Sequence, residues 1–448
     1  MSSANDNRGG RRIVENARVI DPARGLDATG HLVCEGGRIL SCGEGPSPAE
    51  LSRDDAEHID ARGLVLAPGL WDIHVHLREP GQEDKETIAT GSAAAAAGGF
   101  TDVAAMPNTT PPVDTAAAVN LVLDRARKAG LCRVHPIGAI SVGLRSEKMV
   151  EYADLVEAGA KGFSDDGRPV EDGGLMRRAM DYSRILGVPM ITHAEDLTLS
   201  AQGVMHEGSW STRLGLRGIP YAAETACIAR DIELSRLTGA RLHVAHVSSR
   251  RGVELIRAAK QDGLPVTAET APHYLDLTDA DCADYDPRFK MNPPLRTMDD
   301  QQALVEALMD GTIDCIATDH APHTETEKNR PFAEAPFGVI GLESSFAVCH
   351  DRLVRRGGMK LSRLIELMSL GGARVMGLVG GTLAENGPSD FVLLDCEETW
   401  TPRSRDFLSK ARNCPWLGRS LTGRVVATHF GPRFSFQREL HLMRKARS

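Results

Sequence analysis

The stretch Leu64-Val65-Leu66-Ala67-Pro68-Gly69-Leu70-Trp71-Asp72-Ile73-His74-Val75-His76 is an apolar run interrupted by Pro68-Gly69 and by Asp72, and closed by two histidines two positions apart. Side chains alternate along a strand, so His74 and His76 are expected on one face and Ile73 and Val75 on the other. Downstream, the alanine-rich segment Glu86–Ala97 reads as a helix stopped by Gly98-Gly99. This strand-then-helix unit recurs. Short apolar segments follow at Ile73–His76, Asp102–Met106, Val134–Ala139, Gly159–Ser164, Val188–Thr192, Leu242–Val247, Pro265–Thr270 and Ile313–Thr318. Between them lie helical patterns such as Ala116–Lys128, ending at Gly130, and Ala222–Leu237, ending at Gly239. Eight alternations predict an α/β fold, a (β/α)8 TIM-like barrel. A doubly wound sheet would carry a glycine-rich phosphate turn after an early strand, and neither common form of that turn occurs.

The flanks have a different texture. Arg12–Ala17, His31–Glu35, Arg38–Cys42 and Leu64–Ala67 read as short strands, with a hairpin at Gly36-Gly37. The pattern returns after Arg374, at Phe391–Leu394, Leu421–Thr428 and Phe434–Phe436. The simplest organisation joins the two ends into one small β-sandwich. It gives residues 1–67 and 375–448 to that sandwich and residues 68–374 to the barrel.

Composition sets bounds on function. A chain of 448 residues with 42% hydrophobic and 25% charged residues is an ordinary globular sequence. A formal charge of -9 argues against a general nucleic-acid binder, and the basic clusters Arg8–Arg12 and Arg444–Arg447 read as solvated tails. Nine cysteines without a Cys-x-x-Cys pair point to a reducing compartment rather than a disulfide framework. The polar N-terminus has no signal-peptide core, and no run approaches the ~20 apolar residues of a membrane span. A cytoplasmic protein with no membrane or nucleic-acid partner is expected.

Ligand-type residues collect at the downstream ends of the expected strands: His74 and His76, Asp165-Asp166, His193, His246, and Asp319. Taken singly, His193 or His246 is an ordinary buried histidine, Asp319 a helix cap, and Asp165-Asp166-Gly167 a turn. Five strand ends of eight carry such residues, however, and in a barrel all strand C-termini meet on one face. Four histidines and two carboxylates suit zinc, which prefers nitrogen and oxygen donors. By strand parity His243 should face the helices, and His135 begins its strand. His31, His58, His206, His350, His429 and His441 lie outside the constellation, and Lys161 sits too far upstream to reach it.

Seven motifs carry a resemblance over nearly the whole chain: HVHLREPGQEDKETIATG from His74, MPNTTPP from Met106, FSDDG from Phe163, THAED from Thr192, ETAPHY from Glu269, MNPPLR from Met291 and ATDHAPH from Ala317. The sequence resembles the type I (long bacterial) dihydroorotases of the amidohydrolase superfamily. The resemblance implies one or two zinc ions, with His74, His76 and Asp319 on one, His193 and His246 on the other, and Asp166 between them. Asp166 is taken over Asp165 because it keeps the family's spacing. Where hydantoinases place a carboxylated lysine, this chain has that aspartate. The resemblance further implies that Arg78, Asn108 and His323 grip a substrate carboxylate, and that Asn292 and the Phe337-Gly338 backbone meet the ring. The implied reaction is the reversible cyclisation of N-carbamoyl-L-aspartate to L-dihydroorotate in pyrimidine biosynthesis. In the hydrolytic direction a metal-bound hydroxide is the nucleophile, with Asp319 as general acid and base. The segment between Thr318 and Phe337 reads as a loop able to close over the site. A hydantoinase, dihydropyrimidinase or allantoinase is the rival enzyme, and Arg78, Asn108 and Asp166 speak against it. A non-catalytic partner of aspartate carbamoyltransferase is the rival of another class, and it would be expected to lack metal ligands. The assemblies left open are a homodimer and a complex with that carbamoyltransferase.

Overall fold

A computed structural model describes residues 10–438. Arg8, His441 and Arg444–Arg447 lie outside them. Eight strands form one hydrogen-bonded sheet. In spatial order they are Arg433–Gln437, Leu421–Phe430, Phe391–Trp400, Val65–Pro68, Arg12–Asp21, Leu26–Glu35 and Arg38–Glu44, with Glu57–Asp60 also paired to Arg12–Asp21. The two ends of the chain meet where Val65–Pro68 runs antiparallel to Phe391–Leu394, with Leu66 opposite Leu393. Alternation then sorts the side chains. Leu66, Phe391 and Leu393 enter the sandwich's own core with Val14, Leu32 and Ile39. Val65, Ala67, Val392 and Leu394 enter the large core shared with the barrel. Gly99 sits at that seam with φ +90°, and a Cβ there would lie 3.1 Å from both Leu70 and Val392, so this turn needs glycine.

The barrel begins with Leu70–Val75, Phe100–Ala105 and Arg133–Pro136, all parallel. A second parallel run follows, Met190–Thr192, Leu242–Val244, Val266–Thr270 and Cys315–Ile316. Between the runs, Phe163 bridges Gly138 and Met190, and backbone bonds from Lys161 N to Pro136 O, Ser164 N to Gly138 O and Ile191 N to Phe163 O keep the fourth expected segment in the ladder. Just beyond it, Asp165 Oδ1 accepts the backbone N–H groups of Ile140 (2.7 Å) and Ser141 (3.1 Å). The ring closes at the other seam, where Val75 bridges His320 and His76 N donates to His320 O at 2.9 Å.

Helices surround the barrel, and their ends obey local chemistry. Ile88–Ala97 starts at Thr87, whose hydroxyl accepts from Thr90 N. Ala116–Ala129 and Tyr221–Thr238 end at Gly130 and Gly239, both left-handed.

Strict alternation fails in the first barrel strand. Ile73 does not share a face with Val75: it packs with Trp71, Met106 and Ile137 in the barrel interior, while Val75 joins the helix-facing core. The pairing register with the next strand shifts between Asp72 and Val75. The buried Asp72 carboxylate holds that irregularity by accepting from His74 N and Thr318 N, each at 3.1 Å. Among the described residues, no helix is long and apolar enough to cross a membrane.

Candidate metal centre and active site

The side chains singled out at the strand ends meet around one carboxylate. Asp166 Oδ1 lies 3.4 Å from His74 Nε2, 3.4 Å from His193 Nδ1 and 3.7 Å from His246 Nε2, and its Oδ2 lies 3.5 Å from His76 Nε2. Asp319 Oδ1 approaches His76 Nε2 at 3.1 Å and His74 Nε2 at 3.7 Å. His193 Nδ1 and His246 Nε2 are 2.9 Å apart. All six side chains are buried.

Two of the six reach this point on strained backbone. His246 has φ +35° and Asp319 φ +49°, and Arg78 nearby has φ +59°. Ala245 already faces the barrel interior, so alternation would turn His246 outward; the left-handed conformation turns it in. Such strain persists only where its surroundings hold it, and it concentrates at functional sites. The same inner face carries His243, contrary to the parity expectation: its Nε2 lies 3.2 Å from Glu269 Oε2 and its Nδ1 2.9 Å from Thr267 Oγ1. Parity was counted from His246, the residue whose backbone breaks it.

The outward nitrogens of three histidines have partners. His74 Nδ1 lies 2.7 Å from Glu269 Oε1, His76 Nδ1 2.9 Å from Asn108 Oδ1, and His193 Nε2 3.1 Å from Glu195 Oε2. An N–H spent outward leaves the inner nitrogen a lone pair, which is the form a metal takes. His74 Nε2 and Asp166 Oδ1 are buried and have no hydrogen-bond partner. Two ligand groups have donor atoms within 4.8 Å of one another, His74 with His76 and Asp319, and His74 with Asp166 and His246. These donors fit a divalent ion of the zinc type.

Electrostatics agree. Burial raises the Asp166 and Asp319 carboxyls, yet the surrounding imidazoles overcome it and hold both well below the usual range. Burial likewise opposes charge on His193, but Asp166 and Glu195 lift it to about 10. The pocket therefore demands positive charge, and a cation loading here would displace protons.

Above the centre lies a cavity of about 240 Å³ lined by Arg78, Asn108, Asn292, His323, Phe337 and Gly338 together with the ligand residues. Arg78 is 8% exposed and spends Nε on Pro322 O at 3.2 Å. The Asn108 amide ties the ligand set together, donating to Asp166 Oδ2 at 3.1 Å while its oxygen faces His76. Asn292 Nδ2 donates to Glu195 Oε2 at 2.8 Å. Burial and the Arg78 charge push His323 down to about 3, so its ring is neutral. The segment from Thr318 to Phe337 is packed down. Its helix Glu325–Lys328 ends in the buried Lys328, whose Nζ donates to Pro336 O and Gly338 O, each at 2.9 Å.

A family model described as Dihydro-orotase-like matches residues 63–252. A dihydroorotase from Anaeromyxobacter dehalogenans is 52% identical over 423 residues, covering 94% of this chain and 96% of its own length. The chain belongs to the dihydroorotase family. A second dihydroorotase, from Syntrophotalea carbinolica, is 47% identical and covers 95% of this chain and 99% of its own. Among solved structures, this dihydroorotase-family fold superposes on the L-hydantoinase (dihydropyrimidinase) from Arthrobacter aurescens with a TM-score of 0.84 at 26% identity, over 95% of this chain and 96% of that one.

Sequence reasoning did not single out Glu269, Glu195 or Glu327, the carboxylates behind the histidines. Glu327 Oε2 stands 3.4 Å from His323 Nδ1. The signal for two of them was present: Glu195 follows His193 by two positions and so shares its strand face, and Glu269 sits at the end of its own strand.

Proposed function

We propose that this chain is a dihydroorotase, interconverting N-carbamoyl-L-aspartate and L-dihydroorotate, with the six side chains around Asp166 as its metal ligands. The observation that carries this reading is the convergence of four imidazoles and two carboxylates beneath a cavity walled by a buried arginine. Zinc, as one or two ions on His74, His76, Asp166, His193, His246 and Asp319, would supply an activated water near neutral pH and polarise the ring carbonyl.

The chain's own residues do the rest. Arg78, the guanidinium at the cavity wall, pairs with the substrate carboxylate and fixes the ring's orientation. Asn108 and His323 share that carboxylate, while Asn292 and the Phe337-Gly338 backbone bound the ring. Asp319 is held ionised, so it accepts the proton of the attacking water and returns it to the departing ring nitrogen. Synthesis of the ring retraces these steps. The cytoplasm is the proposed location.

The test is an assay of purified protein against dihydroorotate, hydantoin and allantoin, with metal content measured on the same sample. Turnover of dihydroorotate well above the others is expected. Faster hydantoin turnover would assign the site to the rival cyclic amidohydrolases. Tight metal loading without turnover of any of the three would assign a non-catalytic role.

A further inference from the structure

The contacts behind His74 do not end at Glu269. Glu269 Oε1 lies 2.7 Å from His74 Nδ1, and its other oxygen, Oε2, lies 3.2 Å from His243 Nε2, an ion-pair contact without hydrogen-bond geometry between two buried atoms that have no other partner. His74 is 0% exposed, and Glu269 and His243 are 1% exposed each, so none of the three can turn to bulk solvent for a partner. A buried carboxylate facing two imidazole nitrogens needs an N–H from each. With a cation bound, His74 would therefore carry its one proton on Nδ1 and offer a lone pair on Nε2, the nitrogen that faces Asp166 and Asp319. His243 carries its proton on Nε2, which makes its Nδ1 an acceptor for the Thr267 hydroxyl at 2.9 Å. That is the shorter of two contacts open to the hydroxyl, the other being 3.4 Å to Leu242 O.

We propose that His243 is a positioning residue for the metal centre. It holds Glu269 Oε2, so that Oε1 stays on His74 Nδ1 and His74 presents an unprotonated Nε2 to the cation. The inference rests on the metal reading above and extends it to a residue outside the ligand set. Without His243, Oε2 of the buried Glu269 loses the imidazole nitrogen that faces it at 3.2 Å. Glu269 is then free to rotate, and His74 loses the partner that selects its tautomer. Outer partners of metal-bound histidines are worth about 10–100-fold in metal affinity.

One competing arrangement uses the same atoms. His243, Glu269 and Cys315 form a third group whose donor atoms lie within 4.8 Å of one another. If that group itself held an ion, His243 would be a ligand and not a positioning residue.

The experiment measures zinc affinity by competition with a chelating dye, zinc stoichiometry, and melting temperature, on full-length wild type and four variants. His243→Leu removes the N–H donor, and His243→Asn shortens it out of reach of Glu269. His243→Gln keeps a donor at about the position of Nε2. Thr267→Val is near-isosteric and removes only the hydroxyl behind the ring. Expected are an affinity loss of about 10–100-fold for Leu and Asn, recovery of most of it in Gln, and a smaller loss in the same direction for Thr267→Val. Thr267→Val keeps the test decisive if the Leu variant does not fold, because an unchanged affinity in it together with weak binding by His243→Gln overturns the proposal. Equally, Leu and Asn variants that melt earlier but bind zinc as wild type does would reduce His243 to a packing residue. Loss of one zinc equivalent in every His243 variant, Gln included, would make it a ligand. Wild-type protein that takes up no zinc would sink the metal reading itself, whereas tight binding by wild type and variants alike overturns only the role of His243.

Discussion

In the sandwich strand Phe391–Trp400, Phe391 and Leu393 enter one apolar core while Val392 and Leu394 enter the other. At the rim of the barrel, Ala245 and His246 are sequence neighbours, yet Ala245 packs in the interior and His246 turns toward Asp166 with φ +35°. The first region is sorted by packing alone, and the period of two holds. The second must bring ligand atoms from five strand ends to one point, and it gives up the period to do so. Left-handed residues of this kind cost on the order of 1–3 kcal/mol each, which the surrounding barrel has to absorb. Substitutions in the two regions should therefore fail in different ways, one in rate and the other in stability.

The largest effect is expected at the rim. Asp319→Asn keeps the size of the side chain but cannot hold or return a proton. Per folded molecule it should lower kcat by about 10²–10⁴-fold, a loss separate from any fall in melting temperature as the pairing with His76 goes. A variant with near-normal kcat would remove Asp319 from proton transfer. In the sandwich the pattern should invert. Leu393→Ala empties a fully buried site between two strands and should cost about 2–5 kcal/mol in denaturant unfolding. Its kcat per folded molecule should be unchanged. A loss of kcat at constant stability would mean that the sandwich tunes the site, and the contrast between the regions would collapse.

Arg78→Met separates binding from chemistry within the rim. The guanidinium is argued to grip the substrate carboxylate in ground state and transition state alike, so KM for dihydroorotate should rise about 10–100-fold with a smaller change in kcat. An unchanged KM would free Arg78 from the carboxylate and weaken the choice of dihydroorotate over neutral rings.

What could be read in the sequence divides along the same line. The eight apolar segments, the glycine stops at Gly130 and Gly239, and the joined β flanks all follow from periodicity, and periodicity governs packed strands and helices. The ligand-type residues could be found because a barrel delivers strand ends to one face. Parity failed at Ile73 and His243, since an Asp72-held register shift and a left-handed His246 are backbone events that composition does not announce. The short strand Glu57–Asp60 was missed because only Ile59 in it is buried, which leaves no apolar pattern to read.

The smallest predicted effect lies at the seam between the two regions. Glu343 lines a cavity there with Trp400, Phe407 and Arg424, and its carboxylate accepts the N–H groups of Leu408 and Ser409 at 3.0 and 3.1 Å. Burial pushes its carboxyl up to about 7, against those two hydrogen bonds and with help from the Glu86 charge. Below about pH 4.5 the folded and unfolded chains are both protonated at this position. Between there and about pH 7 the unfolded chain gives up the proton while the folded chain keeps it. Stability contributed by Glu343 therefore falls as pH rises through that window and is gone above it. Glu343→Gln can keep an acceptor for the two N–H groups and removes the titration. The melting temperature of the variant relative to wild type should climb between pH 4.5 and 8, by about a degree or two in a chain this large. A difference that stays flat with pH would mean that the seam hydrates the carboxylate. The sandwich and barrel would then meet across a wet contact at this point, and not across the shared apolar core that elsewhere welds them together.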